Sequence, residues 1–160
     1  MLLFKEQLYV NIPDSFQKMD KSNISEMYPY EERPQIILEN RKEHRFCTFS
    51  LIENHGLGDT QIEYAIQSIS NVVTSLYPSC LLEEAQLKEC RGGTCGWFSF
   101  KNTGSRGEIH NVMYIFPVNG CMMLGTMGCM CGDKVGQGQI MQMIESIEAW
   151  EKKHEKRSIY

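Results

Sequence analysis

The segment of residues 94–131 constrains the fold of this chain more than any other. Three runs of strand-forming residues follow one another in it, and a glycine-bearing turn separates each run from the next. The second turn contains Asn119 and Gly120, the residue types that most readily take positive φ in a two-residue hairpin loop. We therefore predict an antiparallel meander of three strands.

The Asn119-Gly120 turn also predicts the register of the second hairpin, because a two-residue loop decides which residues lie opposite each other. Both faces of this hairpin carry mainly apolar side chains, and a sheet that is apolar on both faces is expected to be covered on both. The predicted pairs across the hairpin are Val118 with Cys121, Phe116 with Met123, Tyr114 with Gly125, Val112 with Met127 and His110 with Cys129.

A long helix is predicted to begin at Thr60. Thr60 and Glu63 have the spacing of a capping box, and apolar residues then recur at three- and four-residue intervals from Ile62 to Leu76. The proline that follows Tyr77 disfavours helical geometry in that residue, so the helix is expected to end there.

A second long helix is predicted to run from somewhere after Asp133 to about Trp150, with its apolar residues on one face. Gly136 and Gly138 each cost about 1 kcal/mol within a helix, so its first turns are expected to fray or to begin later. The remaining predicted elements are a short helix over residues 22–27 and strands over residues 8–12, 35–39, 45–53 and 81–90.

These elements predict an α+β fold in which an antiparallel β-sheet carries helices packed on both faces, an α/β/α sandwich. At 160 residues the chain has the length of one domain. We expect that domain to span residues 1–150 and to be followed by a charged C-terminal tail over residues 151–160.

Several stretches of the chain carry a family resemblance. They are Val-Asn-Ile-Pro-Asp-Ser-Phe at positions 10–16, Tyr-Pro at 28–29, Glu-Arg-Pro at 32–34, Gly-Trp-Phe-Ser-Phe at 96–100 and the closing amphipathic helix. Together they resemble the small bacterial proteins of the PsbP/DcrB-like superfamily, which shares its fold with the photosystem II subunit PsbP and a Ran-binding nuclear-import factor. The resemblance implies the sandwich fold and a role in binding or chaperoning proteins, and it implies no catalytic residues.

Charge and composition bear on the compartment and on the class of partner. The net charge of −4 arises from lysines and arginines dispersed among acidic residues, so neither nucleic-acid binding nor attachment to an anionic membrane is expected. The first ten residues lack the apolar core of a signal peptide, and no stretch is long enough to be inserted into a membrane. Seven cysteines, an odd number without a secretory signal, favour reduced thiols and a cytoplasmic location.

The candidate site that offers most chemistry is formed by Cys129, Cys131 and His110. Residues two apart on a strand point to the same face, and His110 is predicted to lie opposite Cys129. Two thiolates and an imidazole could begin a zinc site, but structural zinc takes four protein ligands and no second pair of ligands is evident. The alternatives are a strained, reducible disulfide between the two cysteines and buried free thiols that act as small apolar residues.

Residues 132–138 are glycine-bearing and stand between a strand and a helix, where phosphate-binding loops occur. They do not have the spacing of a P-loop, because Gln137 stands where the lysine-bearing end should be, and the third glycine of a dinucleotide fingerprint is missing. A backbone anion site and a connector without ligand remain as the two interpretations.

The methionines are concentrated in the meander and the last helix. Such unbranched, polarizable side chains suit a surface that adapts to varied apolar partners, and the alternative interpretation is an ordinary methionine-rich core. The residues concerned are Met113, Met122, Met123, Met127, Met130, Met141 and Met143.

These observations favour a non-catalytic, cytoplasmic protein-interaction or chaperone-like module that needs no cofactor. Its expected partner is another protein, and a homodimer formed through the sheet or the methionine-rich surface is one form this binding could take. The alternative is a small metal- or thiol-dependent protein that uses Cys129, Cys131 and His110.

Overall fold

The computed structural model describes residues 1–4, 8–28, 33–52, 61–118 and 120–149. The helices in this part are α1 (Lys21–Met27), α2 (Ile62–Leu76) and α3 (Lys134–Glu145). The strands are β1 (Leu2–Leu3), β2 (Leu8–Tyr9), β3 (Gln17–Lys18), β4 (Ile36–Asn40), β5 (Arg45–Ile52), β6 (Leu81–Leu82), β7 (Gln86–Cys90), β8 (Gly93–Gly104), β9 (Gly107–Val118), β10 (Cys121–Met130) and β11 (Glu148–Ala149).

The main sheet confirms the predicted meander, which consists of β8, β9 and β10. Its strand order is β3-β4-β5-β10-β9-β8-β6, with β7 paired to the remaining part of β8. The five residue pairs predicted across the hairpin of β9 and β10 are the observed ones. Asn119 of the connecting turn lies outside the described residues, and Gly120 has a positive φ of 80°, as this turn requires.

The first face of the sheet is covered by α3 and by the segment that precedes α1. The sheet contributes buried side chains such as Tyr114, Phe116 and Met127, and α3 contributes Ile140 and Ile144 to the same core. This is the larger of the two cores, and it contains the fully buried Tyr114 and Phe116 of the meander.

The second face is covered by α2, so the prediction of helices on both faces is confirmed. The apolar stripe of α2 packs on Phe98 and Ile115. Gly96 allows the helix to come this close, because a Cβ at that position would lie 2.9 Å from side-chain atoms of both Ile62 and Ile66. The capping box predicted at Thr60 lies outside the described residues.

On the first face, atoms of β9 and β5 come close together at Gly125 of β10, the strand between them. The buried Tyr114 ring lies across this glycine, and its hydroxyl donates a hydrogen bond of 2.8 Å to the carbonyl oxygen of Thr48. A Cβ on Gly125 would overlap both that carbonyl oxygen and the Tyr114 hydroxyl. The glycine therefore makes room for the hydrogen bond that joins β9 to β5 across β10.

The last helix begins after Asp133, as predicted, but its first turns and its end differ from the prediction. The helix does not begin late, because Asp133 caps it by accepting a 2.9 Å hydrogen bond from the Gly136 amide. A Cβ on Gly136 would overlap the Asp133 carboxylate, so glycine serves the cap. The helix ends at Glu145 instead of about Trp150, because the chain leaves it to form β11; Trp150 itself lies outside the described residues.

Two strand predictions also need correction. The strand predicted over residues 8–12 is reduced to β2, which pairs with β1 and β11 in a separate three-stranded sheet. The strand predicted over residues 81–90 is two strands, β6 and β7, which pair with different parts of β8. The short helix and the strands β4 and β5 are confirmed to within one or two residues.

The small sheet lies against the turn between β7 and β8. The amide of Arg91 donates to the carbonyl oxygen of Glu145 at 2.9 Å, and the amide of Gly92 donates to that of Ile147 at 3.0 Å. Since a Cβ on Gly92 would lie only 2.6 Å from the Cα of Glu148, the hairpin turn and β11 are in direct backbone contact.

Within the described residues, no helix is both long enough and apolar enough to cross a membrane.

Candidate functional site

A cleft of about 1060 Å³ opens on the second face of the main sheet, where α2 leaves the sheet uncovered. One wall is α1 with Tyr28, and the other is the segment from Tyr77 to Leu81 that follows α2. We call this cleft the α1–α2 groove. It is larger than a neighbouring cleft of about 250 Å³ that also contains Phe100 and Lys101.

The floor of the groove is apolar and only partly covered. Four half-buried side chains from four adjacent strands form it: Phe46 of β5, Met130 of β10, Ile109 of β9 and Phe100 of β8. Strand pairing keeps them in two rows, because Met130 lies opposite Ile109 while Phe46 and Phe100 belong to the next row. The described helices of the chain therefore leave this apolar floor partly exposed.

The row that contains Phe46 and Phe100 also holds a glycine and an amide. Phe46 lies over Gly128 of the neighbouring strand, since a Cβ on that glycine would overlap the ring. Asn111 of β9 is buried next to Gly128 and donates a 2.8 Å hydrogen bond to Oδ1 of Asn102 in β8. This hydrogen bond holds the polar side chain of the floor in place.

The walls carry apolar groups that are more exposed than the floor. Met27 at the end of α1 is 41% exposed, and Tyr77 on the opposite wall is 57% exposed. Burial raises the pKa of Tyr28 to about 12, so its hydroxyl stays neutral at physiological pH. The helix α1 is fixed to the sheet by a 3.3 Å hydrogen bond from Asn23 Nδ2 to Glu39 Oε1.

Charges are distributed unevenly around the groove. The α1 side carries the carboxylates of Glu26 and Glu39, while the β8–β9 side carries Lys101 and Arg106 together with Glu108. Arg41, which also lines the groove, is neutralised by Asp20 in an exposed ion pair of 2.6 Å. One side of the groove is therefore acidic and the other has a surplus of positive charge.

The predicted pairing of His110 with Cys129 is confirmed, but the surroundings are those of a core edge. Cys129 is buried, its Sγ lies 3.8 Å from the carbonyl oxygen of Asp133, and burial raises the pKa of its thiol to about 11. Burial, and then the charges of Lys101 and Lys134, lower the pKa of His110. The described residues contain no group of three or more His, Cys, Asp or Glu side chains that could hold a metal ion.

The loop before α3 is organised around an ion pair. Arg45 donates to both carboxylate oxygens of Asp133, at 2.7 and 3.0 Å, and this pairing together with the Gly136 amide lowers the pKa of Asp133. Because the chain's own carboxylate caps the helix, it takes the place that a bound anion would need at this N-terminus.

The methionines fill the cores, as the alternative interpretation predicted. Four of them are buried, namely Met122, Met123, Met127 and Met143, and Met113, Met130 and Met141 are half-buried. Of the seven, Met130 alone lines the groove. The groove residues Phe46, Phe100 and Ile109 were not singled out in the sequence, where they are indistinguishable from strand residues that a helix covers.

This α+β fold, with a mostly antiparallel sheet and helices on both of its faces, matches the PsbP/Mog1-like fold. Three solved structures share it. Cyanobacterial PsbP (CyanoP) from Synechocystis has a TM-score of 0.63 at 11% identity, covering 94% of this chain and 91% of that one. The Ran-binding protein Mog1p from Saccharomyces cerevisiae has a TM-score of 0.57 at 11% identity, covering 93% of each chain.

The third structure is LpqN, a protein involved in cell envelope biogenesis in Mycobacterium tuberculosis, with a TM-score of 0.50 at 9% identity over 90% of this chain and 83% of that one. No protein-family model and no curated protein matches the sequence. The resemblance of the sequence to the PsbP/DcrB-like superfamily is thus confirmed for the fold.

Proposed function

We propose that this chain is a non-catalytic, cytoplasmic protein-binding module and that the α1–α2 groove is its binding surface. The observation that carries the proposal is the apolar floor of Phe46, Phe100, Ile109 and Met130, which the described part of the chain leaves partly open between two walls. Its size and polar rim resemble the pattern of protein interfaces, in which an apolar centre is surrounded by charged and polar residues. One solved structure of the same fold is a Ran-binding protein, which agrees with this role.

The width of the groove favours an α-helix as the element that binds. The floor of the groove extends from Phe46 of β5 to Phe100 of β8. Three strand spacings separate β5 from β8 in the sheet, or about 14 Å. Because an α-helix with its side chains is about 10–12 Å across, the floor is wide enough for one helix.

The charges predict how such a helix is oriented. Its flank toward α1 should be basic, since it faces Glu26 and Glu39, and its flank toward the β8–β9 turn should carry acidic residues opposite Lys101 and Arg106. An apolar stripe between the two flanks would meet the floor. The proposed ligand is therefore an amphipathic helix of a partner protein with oppositely charged flanks.

The first test compares protein capture by three forms of the chain. We expect the double variant Met27→Lys with Met130→Lys to retain partner proteins at least about tenfold less than the parent, because buried ammonium groups would replace apolar contacts in the groove. The control is Val135→Lys, which adds the same charge at a residue that is 74% exposed on α3. Captured proteins are identified by mass spectrometry and their binding is repeated with purified components.

The second test concerns the helix itself. A display library of peptides of about 14 residues, with helix-forming residues fixed on the solvent side, is compared with one that has proline fixed in the middle. Binders that depend on Met130 should come from the first library, and Glu26→Lys should weaken those with a basic flank. Equal enrichment from the proline library would contradict the helix, and capture that ignores the groove variant would contradict the groove.

A further inference from the structure

A pair of cysteines that is absent from the predicted site lies on the hairpin of β7 and β8. The turn is Arg91-Gly92, and strand pairing places Cys90 opposite Gly93 and Lys88 opposite Cys95. Since alternate residues of a strand point to the same face, Cys90 and Cys95 are diagonal neighbours on one face of the hairpin. That face is turned toward the larger core.

The two residues are diagonal neighbours that differ in exposure. Cys95 is fully buried, and its thiol donates to the carbonyl oxygen of Gly96 at 3.5 Å. Cys90 is half-buried and packs at the edge of the core. Cys90 is therefore the more accessible of the two residues to a small solute, and Cys95 lies next to it in the core.

The charges around the pair favour a thiolate at Cys90. The neighbouring Cys95 side chain, followed by the ammonium of Lys88, lowers the pKa of Cys90, although burial and the carboxylates of Glu145 and Glu89 act against this. The neighbouring Cys90 side chain and burial raise the pKa of Cys95. Lys88 is held in place by a 2.8 Å ion pair with Glu145.

We propose that Cys90 and Cys95 are a redox modification site, in which hydroperoxides convert the reduced thiol pair into a reversible disulfide. Cys90 is the residue that reacts with the peroxide, and Cys95 is the residue that resolves the product. The ligand class is a small hydroperoxide, with hydrogen peroxide as the simplest member.

The chemistry proceeds in two balanced steps. The Cys90 thiolate attacks one oxygen of the peroxide, the O–O bond breaks, Cys90 becomes a sulfenic acid, and the other oxygen leaves and takes up the displaced proton as water or an alcohol. The Cys95 sulfur then attacks the Cys90 sulfur, the S–O bond breaks, and water leaves with the Cys95 proton as the S–S bond forms. Each pair of thiols thus reduces one peroxide by two electrons.

The geometry explains why the disulfide would be reversible. Diagonal neighbours in a sheet have Cα atoms about 7–8 Å apart, whereas disulfides usually need about 4.4–6.8 Å. The hairpin must tighten to close the bond, and Gly93, with a φ of 133°, lies where it can give way. A bond under such strain is easily reduced, and tightening would disturb the contact between Gly92 and Ile147.

The test uses the reduced, purified full chain, small additions of hydrogen peroxide, and alkylation of the remaining thiols. Trypsin cuts after Lys88, Arg91 and Lys101, so the proposed disulfide joins two separate peptides, residues 89–91 and 92–101. We expect this linked product to appear at least about ten times faster than oxidation of Cys121, which is also half-buried and lies opposite Val118 in the meander. Reduction with a dithiol should remove it.

Variants separate the two roles. Cys95→Ala should stop the reaction at a sulfenic acid on Cys90, which dimedone traps, while Cys121→Ser should leave the linked product unchanged. Lys88→Met should slow the first step, and Lys88→Arg should restore most of it. Oxidation of Cys121 as fast as that of Cys90, or loss of both thiols without the linked peptides, would overturn the proposal. Because the parent chain alone gives both of these results, the test stands even if a variant fails to fold.

Discussion

Replacing Gly125 by alanine is expected to lower the free energy of unfolding by roughly 3–5 kcal/mol. The added methyl group would overlap the Thr48 carbonyl oxygen and the Tyr114 hydroxyl, so the strands must separate or the ring must move. Crowding of a packed core costs about 1–3 kcal/mol, and a buried hydroxyl and carbonyl that lose each other cost about as much again. Urea unfolding, followed by fluorescence, measures the change.

Gly138→Ala is the control for this experiment. Gly138 lies in α3, and nothing would lie within 4 Å of a Cβ at that position. Alanine there should therefore stabilise the protein by up to about 1 kcal/mol through its higher helix propensity. If Gly125→Ala unfolded at the same urea concentration as the parent, the close approach around Tyr114 would not be as described.

The second large effect is expected from Arg45→Met, which should cost about 2–4 kcal/mol at neutral pH. The Arg45 side chain is 12% exposed and that of Asp133 is 19% exposed, so methionine would leave a largely buried carboxylate with the Gly136 amide as its remaining described hydrogen-bond donor. The cap of α3 depends on the same carboxylate. Urea unfolding at pH 7 gives the value.

The pH dependence of this variant follows from the lowered pKa of Asp133. A carboxylate whose pKa is lower in the folded state stabilises the protein above its unfolded pKa of about 3.9, and this contribution is lost as the pH falls through the folded pKa. The parent and Arg45→Met should therefore converge in stability between about pH 5 and pH 2. Arg41→Met, which removes an exposed ion pair, should change the unfolding midpoint little at either pH. A difference that stays constant with pH would contradict the role of Asp133.

Local patterns in the sequence were sufficient for the meander and for the helix that covers one of its faces. The turn at Gly120 decides the register of β9 and β10, and the apolar stripe of α2 is long enough to be unambiguous. These elements are specified by neighbours in the sequence, which is the information that spacing and alternation provide.

The end of α3 could not be predicted in the same way. Ile147 is fully buried in the structure, and an apolar residue at this position fits the spacing of a continued helix as well as the chain that leads into β11. The choice is made by the pairing of Glu148 with Tyr9, a contact between distant parts of the chain. The expectation that Gly136 would delay the start of the helix was wrong for a related reason. The effect of this glycine on the helix depends on the Asp133 carboxylate that packs against it.

The groove and the cysteine pair depend on tertiary structure in different ways. Phe46 and Phe100 read as strand residues of a covered face, and the uncovered position becomes evident only when α1 and α2 are placed on the sheet. Cys90 and Cys95 flank a turn that the glycines at positions 92 and 93 do predict. A hairpin with its turn at Arg91 and Gly92 places Cys90 and Cys95 on the same face of the two strands. The position of this turn is therefore the signal in the sequence that could have identified the cysteine pair.

The small sheet has a consequence for the order in which the chain folds. Asn11 and Ser146 are hydrogen-bonded at 2.8 Å although they are 135 positions apart, whereas the hairpins of the meander join near neighbours. Closing a long loop costs entropy before any contact repays it, so the meander should form early and β11 should dock late. During synthesis on a ribosome, the larger core would accordingly stay open on one side until Ile147 has left the exit tunnel.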